Sequence, residues 1–200
     1  MLDKQGIMLG LAMGLIVFLT AGLNYLALVI VFFALAVLAT KYQHYQKREL
    51  GIYEHERSWE NVFYNGAIPM IFAVLSPQLG PMPFIASISA ITADKFASEL
   101  GVLSGQPIDL GTLKPAKPGT SGAVSILGFV MSLAGGTLIG VAGMWAFGLT
   151  PNTAALIGIA GFIGSLVDSI FGIFEERGFG TKGTTNLICA ISGGIVGLFI

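Results

Sequence analysis

The chain has 200 residues, 54% of them apolar and only 10% charged, with a mean hydropathy of +0.81. Soluble domains carry roughly 25% charged residues, so this composition excludes an ordinary water-soluble globule. A net charge of −1 argues against a nucleic-acid surface, and the single Cys189, in an apolar segment, excludes an internal disulfide. The 28 glycines suit closely packed membrane helices. The class is all-α: a polytopic transmembrane bundle of six or seven helices in one integral membrane domain, residues 1–200.

Taken in chain order, residues 1–6 are nearly neutral and the apolar run after them shows no processing site, so no cleavable signal is expected. Segments 7–21 and 23–39 form an N-terminal hairpin within residues 1–40, broken around Gly22-Leu23-Asn24. The polar stretch KYQHYQKRELGIYEHERSWEN follows. It holds His44 and His55, which lack a Cys or second His at ligand spacing and read as solvated residues. A third span over about 62–76 contains Pro69, where a kink is expected, and ends in PQLGPMP, expected as a non-helical turn. The fourth runs over 84–103. After the polar loop SGQPIDLGTLKPAKPGTSG come spans at about 123–147, 154–175 and 185–200. Several are shorter than the roughly 20 residues of a full crossing, which predicts tilt or a thin membrane.

With seven spans, every Lys and Arg falls at one end of the bundle, from Lys4 to Lys182, and the acidic residues follow. The connections near 22, 77–83 and 148–153 carry no charge. The positive-inside rule makes the charged end cytoplasmic, in a multi-pass protein of the cell membrane.

Charges inside the spans point to chemistry, because an ionisable residue at a helix centre costs on the order of 3 kcal/mol on insertion scales. In ITADKFASELG, Asp94, Ser98 and Gly101 fall on one stripe, with Glu99 and Lys95 on its flanks. In GFIGSLVDSIFG, Gly161, Gly164, Asp168 and Gly172 form a stripe of small residues with one carboxylate, which presses Asp168 into a helix interface. The fourth and sixth spans run the same way, so Asp94 and Asp168 are expected at similar depth. Paired carboxylates with room for water suit Mg²⁺ and a phosphate chain.

KPAKPGTSGAVS places Lys114 and Lys117 before the Gly119-Thr120-Ser121-Gly122 turn. Thr120 or Ser121 is expected to cap the next helix and offer its free N–H groups to an anion. A basic loop on acidic lipid head groups would look the same. In ERSWENVFYNG, Asn61 and Asn65 share a face, suited to a nucleobase or a metal-bound phosphate, and Trp59 reads as an interface anchor. Glycine pairs such as Gly136-Gly140 and Gly193-Gly197 read as packing contacts, within the chain or between protomers of a homo-oligomer.

RSWENV with Asn65-Gly66, then ADKFASELG, PGTSGAVS and GSLVDSIFG, resemble in order the integral-membrane family that contains phytyl-phosphate kinase of tocopherol biosynthesis. The resemblance runs from about Arg57 to Ile200, a family-like catalytic core over 57–200. It implies transfer of a phosphoryl group from a nucleoside triphosphate, CTP favoured, to an isoprenoid monophosphate of phytyl, farnesyl or geranylgeranyl type. The family's positions carry over to Asp94, Glu99, Asn61, Asn65, Thr120 and Asp168. Asp94, Asp168 and Glu99 would hold Mg²⁺ on the triphosphate. Lys114, Lys117 and the Gly119–Gly122 turn would hold phosphate oxygens, with Ser98, Ser165 and Lys95 as further contacts. Lys95 departs from the pattern, where a small or hydroxyl residue is expected. Small-residue seams between helices would admit the prenyl tail from membrane lipid.

Two other classes fit part of the pattern: a CTP-dependent cytidylyltransferase acting on a lipid phosphate, and a cation- or proton-coupled transporter using Asp94 and Asp168. Against the transporter, the outer half has no charged residue and no inverted repeat is visible.

Overall fold

A computed structural model describes residues 3–51 and 58–200. His55, Glu56 and Arg57 lie outside the described residues. α1 (Lys4–Ala21) starts at Asp3, whose Oδ1 accepts the Gly6 N–H at 2.6 Å. Gly22, at φ 95°, turns the chain into α2 (Leu23–Lys41). A short α3 (His44–Glu49) follows. α4 (Trp59–Val74) continues as a helix on both sides of Pro69.

The PQLGPMP stretch is not wholly non-helical. Ser76–Leu79 forms one turn, α5, with its proline in the first-turn position where a missing N–H costs nothing. α6 (Met82–Leu100) ends in a 3₁₀ turn, Gly101–Ser104. α7 spans Ile126–Phe147, α8 Pro151–Glu176 and α9 Lys182–Gly197. Among the described residues, seven helices are 16 residues or longer, one for each expected span. Four of them, α1, α2, α7 and α8, are long and apolar enough to cross a membrane by length and composition.

α6 is the central post. Every residue from Pro83 to Ala93 is buried, including Ser87, Ser89 and Thr92. A helix wrapped by protein need not be uniformly apolar, which explains why α6 is less hydrophobic than α7. Ser89 Oγ sits 2.8 Å from the Ile157 carbonyl and 3.1 Å from that of Gly136, tying α6 to α8 and α7 at once. Thr92 returns its hydroxyl to Ile88 O at 2.7 Å.

The glycines set the spacing of this centre. A Cβ on Gly193 would lie 2.7 Å from Ala86 O, one on Gly197 2.7 Å from Met82 O, and one on Gly136 2.8 Å from Gly158 O. Gly161 meets Ser89, and Gly164 would place a Cβ 2.5 Å from that of Ala90. The glycine pairs Gly136-Gly140 and Gly193-Gly197 therefore pack within the chain. The α1–α2 hairpin leans on this centre, with Gly10 beside Val62 of α4 and Tyr25 stacked on Phe84 and Phe147 at 4.8 and 4.9 Å.

Candidate active site

Beyond Ala93 the α6 side chains reach a polar cavity of about 120 Å³ at the charged end of the bundle. Asp94, Ser98 and Gly101 line it from α6, as their common stripe predicts. Ser165, Asp168, Ser169 and Gly172 line it from α8. α6 and α8 run parallel, with Gly161 and Gly164 against Ser89 and Ala90, so one turn further Asp168 comes beside Asp94 on the cavity wall. The glycine stripe thus brings two carboxylates together at one depth.

The lid of the cavity is the loop between α6 and α7. Its Gly119, Thr120, Ser121 and Gly122 all line the space. The loop is more ordered than a plain connection. Strands β1 (Ile108–Asp109) and β2 (Ala123–Val124) pair antiparallel, and Asp109 Oδ1 accepts from Gly111 N at 2.6 Å and Thr112 N at 2.9 Å. Gly122, at φ 74°, seats the turn on α8: a Cβ there would lie 2.8 Å from Ile173 N, and Gly172 meets it from the other side. Ser121 N donates to Glu176 Oε1 at 2.9 Å.

Because residues 120–124 are spent in this turn and strand, α7 cannot begin there, and neither Thr120 nor Ser121 is its cap. Ser125 is, its Oγ accepting from Gly128 N at 3.0 Å and donating to Gly101 O at 3.1 Å.

α9 supplies what sequence reasoning missed. The last span begins at Lys182, three residues earlier than expected. Thr181 and Thr184 form a reciprocal capping box, and the T-x-x-T spacing was the signal. Lys182 therefore stands on a helix at the cavity wall, close enough to act electrostatically on both Asp94 and Asp168. Thr185 on the next turn, 4% exposed, contacts Asp168. Ser125, Ser132 and Glu175 are further lining residues that the sequence did not single out.

Other expected residues go elsewhere. Glu99 faces away from the cavity: its oxygens take Thr40 Oγ1 at 2.8 Å, Lys47 Nζ at 3.0 Å and Lys95 Nζ at 3.4 Å. Lys95 follows it out of the cavity. Lys114 and Lys117 stand exposed on the loop. Asn61 and Asn65 bond one another, Asn65 Nδ2 donating to Asn61 O at 2.8 Å, and neither lines the cavity.

No group of three or more His, Cys, Asp or Glu side chains converges among the described residues. The donor set is the Asp94–Asp168 pair. Asp168 Oδ1 and the hydroxyl of Ser132, both buried atoms of cavity-lining residues, have no hydrogen-bond partner among the described residues. Buried polar atoms are normally paired, so these two ask for a ligand. One or two carboxylates beside open space fit Mg²⁺, which keeps waters and substrate phosphate oxygens in its shell.

The sequence matches the family described as integral membrane protein DUF92 over residues 1–189. The chain belongs to that family. The match begins at residue 1, so it takes in the α1–α2 hairpin, which the motif resemblance alone did not reach. A membrane protein of Methanocaldococcus jannaschii is 38% identical over 205 residues, covering 100% of this chain and 85% of that protein. Protein PGR of Arabidopsis thaliana is 32% identical over 76% of the chain and 65% of its own length. The chloroplast protein VTE6 of the same plant is 27% identical over 88% of the chain and 57% of its length. The chain thus spans less than two thirds of either plant protein. No solved structure matches.

Proposed function

We propose that this protein is a membrane-embedded kinase that moves a phosphoryl group from a nucleoside triphosphate, CTP favoured, to an isoprenoid monophosphate, giving the diphosphate. The observation that carries this reading is the Asp94–Asp168 pair, set beside Lys182 under a glycine-rich turn, in a cavity at the charged end of a lipid-embedded bundle. The resemblance to the phytyl-phosphate kinase family supports the choice of reaction.

Phosphoryl transfer needs positioning and charge stabilisation more than covalent help from the protein. An oxygen of the prenyl phosphate attacks the γ-phosphorus, the bond to the β–γ bridging oxygen breaks, and the nucleoside diphosphate leaves with that electron pair. The acceptor is already ionised at neutral pH, so no general base is needed, in keeping with a cavity lined by no histidine among the described residues. Asp94 and Asp168 would hold Mg²⁺, which when bound neutralises the charge of the triphosphate. Lys182 offsets charge on the transferring group from the α9 side. Within the turn Thr120 N and Ser121 N are taken by Lys117 O and Glu176, so the N–H groups of Gly119 and Gly122 are the ones to contact phosphate oxygens, with Ser98 and Ser165 orienting them. The soluble nucleotide would enter from the charged end, the end that the positive-inside rule favours as cytoplasmic.

The test is incubation of the detergent-solubilised protein with Mg²⁺, each of four labelled nucleoside triphosphates and prenyl monophosphates of several lengths. Prenyl diphosphate with CDP, absent for Asp94→Asn, is the expected result. Pyrophosphate in place of CDP would convert the reading to a cytidylyltransferase. No product with any donor would sink the kinase and direct attention to ion flux.

A further inference from the structure

The two helices that close the cavity on its lipid side are packed very differently along their length. In the outer half, α7 and α8 are zipped by residues without bulk: Gly140 meets Ala154, Gly136 faces Gly158 O, and a Cβ on Gly158 would lie 3.2 Å from Thr137 Cα. Toward the charged end each helix leans elsewhere. Gly128 of α7 is drawn to Gly101 and Ala97 at the end of α6, while Gly172 of α8 is drawn to Gly122 of the loop. Side chains must fill the wedge that opens between them.

They are Phe129 of α7 and Phe162 of α8, with ring centroids 6.1 Å apart at 72°. Phe129 lines the carboxylate cavity together with Leu166, yet it is 37% exposed on the outer surface. Its neighbours there are apolar and turned outward: Ile126 is 85% exposed, Val130 54% and Ile159 48%. On the inner side of the same wedge sits Ser132, 1% exposed, with its hydroxyl unpartnered. The ring pair therefore stands between the carboxylates with the unsatisfied hydroxyl on one side and the hydrocarbon-facing surface on the other.

We infer that the wedge between α7 and α8 is the slot through which the isoprenoid chain of the substrate leaves the cavity for the bilayer, with Phe129 and Phe162 as its chain-contacting walls. This rests on the kinase reading for the identity of the head group. An amphiphile with an anionic head and an apolar tail fits because the two environments adjoin here, with Phe129 touching both. At the ring pair the two helices meet through apolar side chains alone, so a chain that displaces the rings breaks no hydrogen bond of theirs. A larger apolar groove of about 510 Å³, walled by Leu38, Tyr42, Phe96, Leu100 and Met131, is the competing place for a chain. It lies behind the α6–α7 contact, where a Cβ on Gly101 would come 2.8 Å from Gly128 Cα, so backbone separates it from the carboxylates.

The test uses the full chain in detergent with a prenyl monophosphate carrying a terminal benzophenone, mapped by mass spectrometry after illumination. Labelling of 126–133 and 159–170 that unlabelled geranylgeranyl phosphate displaces is the expected result. It would be joined by a shift of about tenfold in the ratio of long-chain to short-chain turnover in Phe129→Trp or Phe162→Trp. Displaceable labelling of the Leu38–Met131 groove, or equal losses for both chain lengths in the two variants, overturns the slot while leaving the kinase intact. Displaceable labelling at the slot without turnover keeps the prenyl-phosphate site and removes the kinase. Neither labelling nor turnover overturns both.

Discussion

Lys47 Nζ lies 3.0 Å from Glu99 Oε2, and the lysine that makes this bond is 1% exposed. The same ammonium donates to Ala39 O at 2.7 Å and Thr40 O at 3.2 Å, carbonyls in the last turn of α2. A residue from a short helix in a polar segment thus caps α2 and bolts it to the end of α6. Three donors already occupy the Glu99 carboxylate.

This relationship separates Glu99 from the cavity chemistry. Glu99→Gln is expected to keep turnover within about threefold of the parent, because no cavity group changes. Lys47→Ala should cost about 3 kcal/mol of stability, the lower end for breaking a buried pair, since Lys95 still serves Glu99. Thermal unfolding in detergent and turnover, measured on the same preparations, check both. Loss of turnover in a well-folded Glu99→Gln protein would return Glu99 to the list of metal ligands.

Asp94 and Asp168 line the same cavity from neighbouring helices. Each single Asn substitution is expected to lower turnover by about a thousandfold, and the double substitution by no more than the worse single one, as groups sharing one task are non-additive. Folding should survive, since removing one of two adjacent negative charges relieves repulsion. Single-turnover rates over a Mg²⁺ titration, with Tm measured beside them, decide the matter. Additive losses would mean that the two carboxylates serve separate steps.

Lys182, and not the loop lysines, stands at the carboxylate pair. Lys182→Gln is expected to reduce kcat/KM at least about tenfold, in the range for losing one aimed charge near a developing anion. Lys114→Gln and Lys117→Gln, at exposed positions, should change it less than about threefold. Their remaining effect should fade as salt is raised, because exposed charges are screened. Kinetics of the three variants at two ionic strengths provide the check.

The seating of the Gly122 turn on α8 can be tested against a glycine that is only strained. Gly122→Ala and Gly105→Ala both place a Cβ at positive φ, 74° and 93°, costing about 1–3 kcal/mol each. Only at Gly122 does the new Cβ strike a neighbour, Ile173 N at 2.8 Å, whereas around Gly105 there is open space. Turnover is expected to fall several-fold more in Gly122→Ala. Equal effects would show that strain alone matters and that the turn need not sit on α8.

Much of the arrangement was legible along the chain. The long helices, expected as six or seven, the charge-free end and the Asp94–Ser98–Gly101 stripe follow from hydropathy, breaker residues and the helical period. The Gly161–Gly164–Asp168 stripe carries its own reason, because a carboxylate among glycines must lie against another helix. Parallel direction of the fourth and sixth spans then puts Asp168 beside Asp94 without further information.

Where a flanking side chain goes is another matter. The helical period sets the angle at which Glu99 leaves α6 but does not say which helix stands there. Only the packing of α2 and α3 decides that Lys47, 52 residues away, meets it. Lys182 joins the site because α9 starts early and packs beside α8. The inner ends of α7 and α8 are placed by two distant contacts, Gly128 with Gly101 and Gly172 with Gly122. Periodicity and composition act within a segment, so the sequence by itself determined the long helices and their polar stripes, but not the short α3 and α5. Which stripes meet is a balance of steric approach among several helices at once, and that the tertiary structure alone decided.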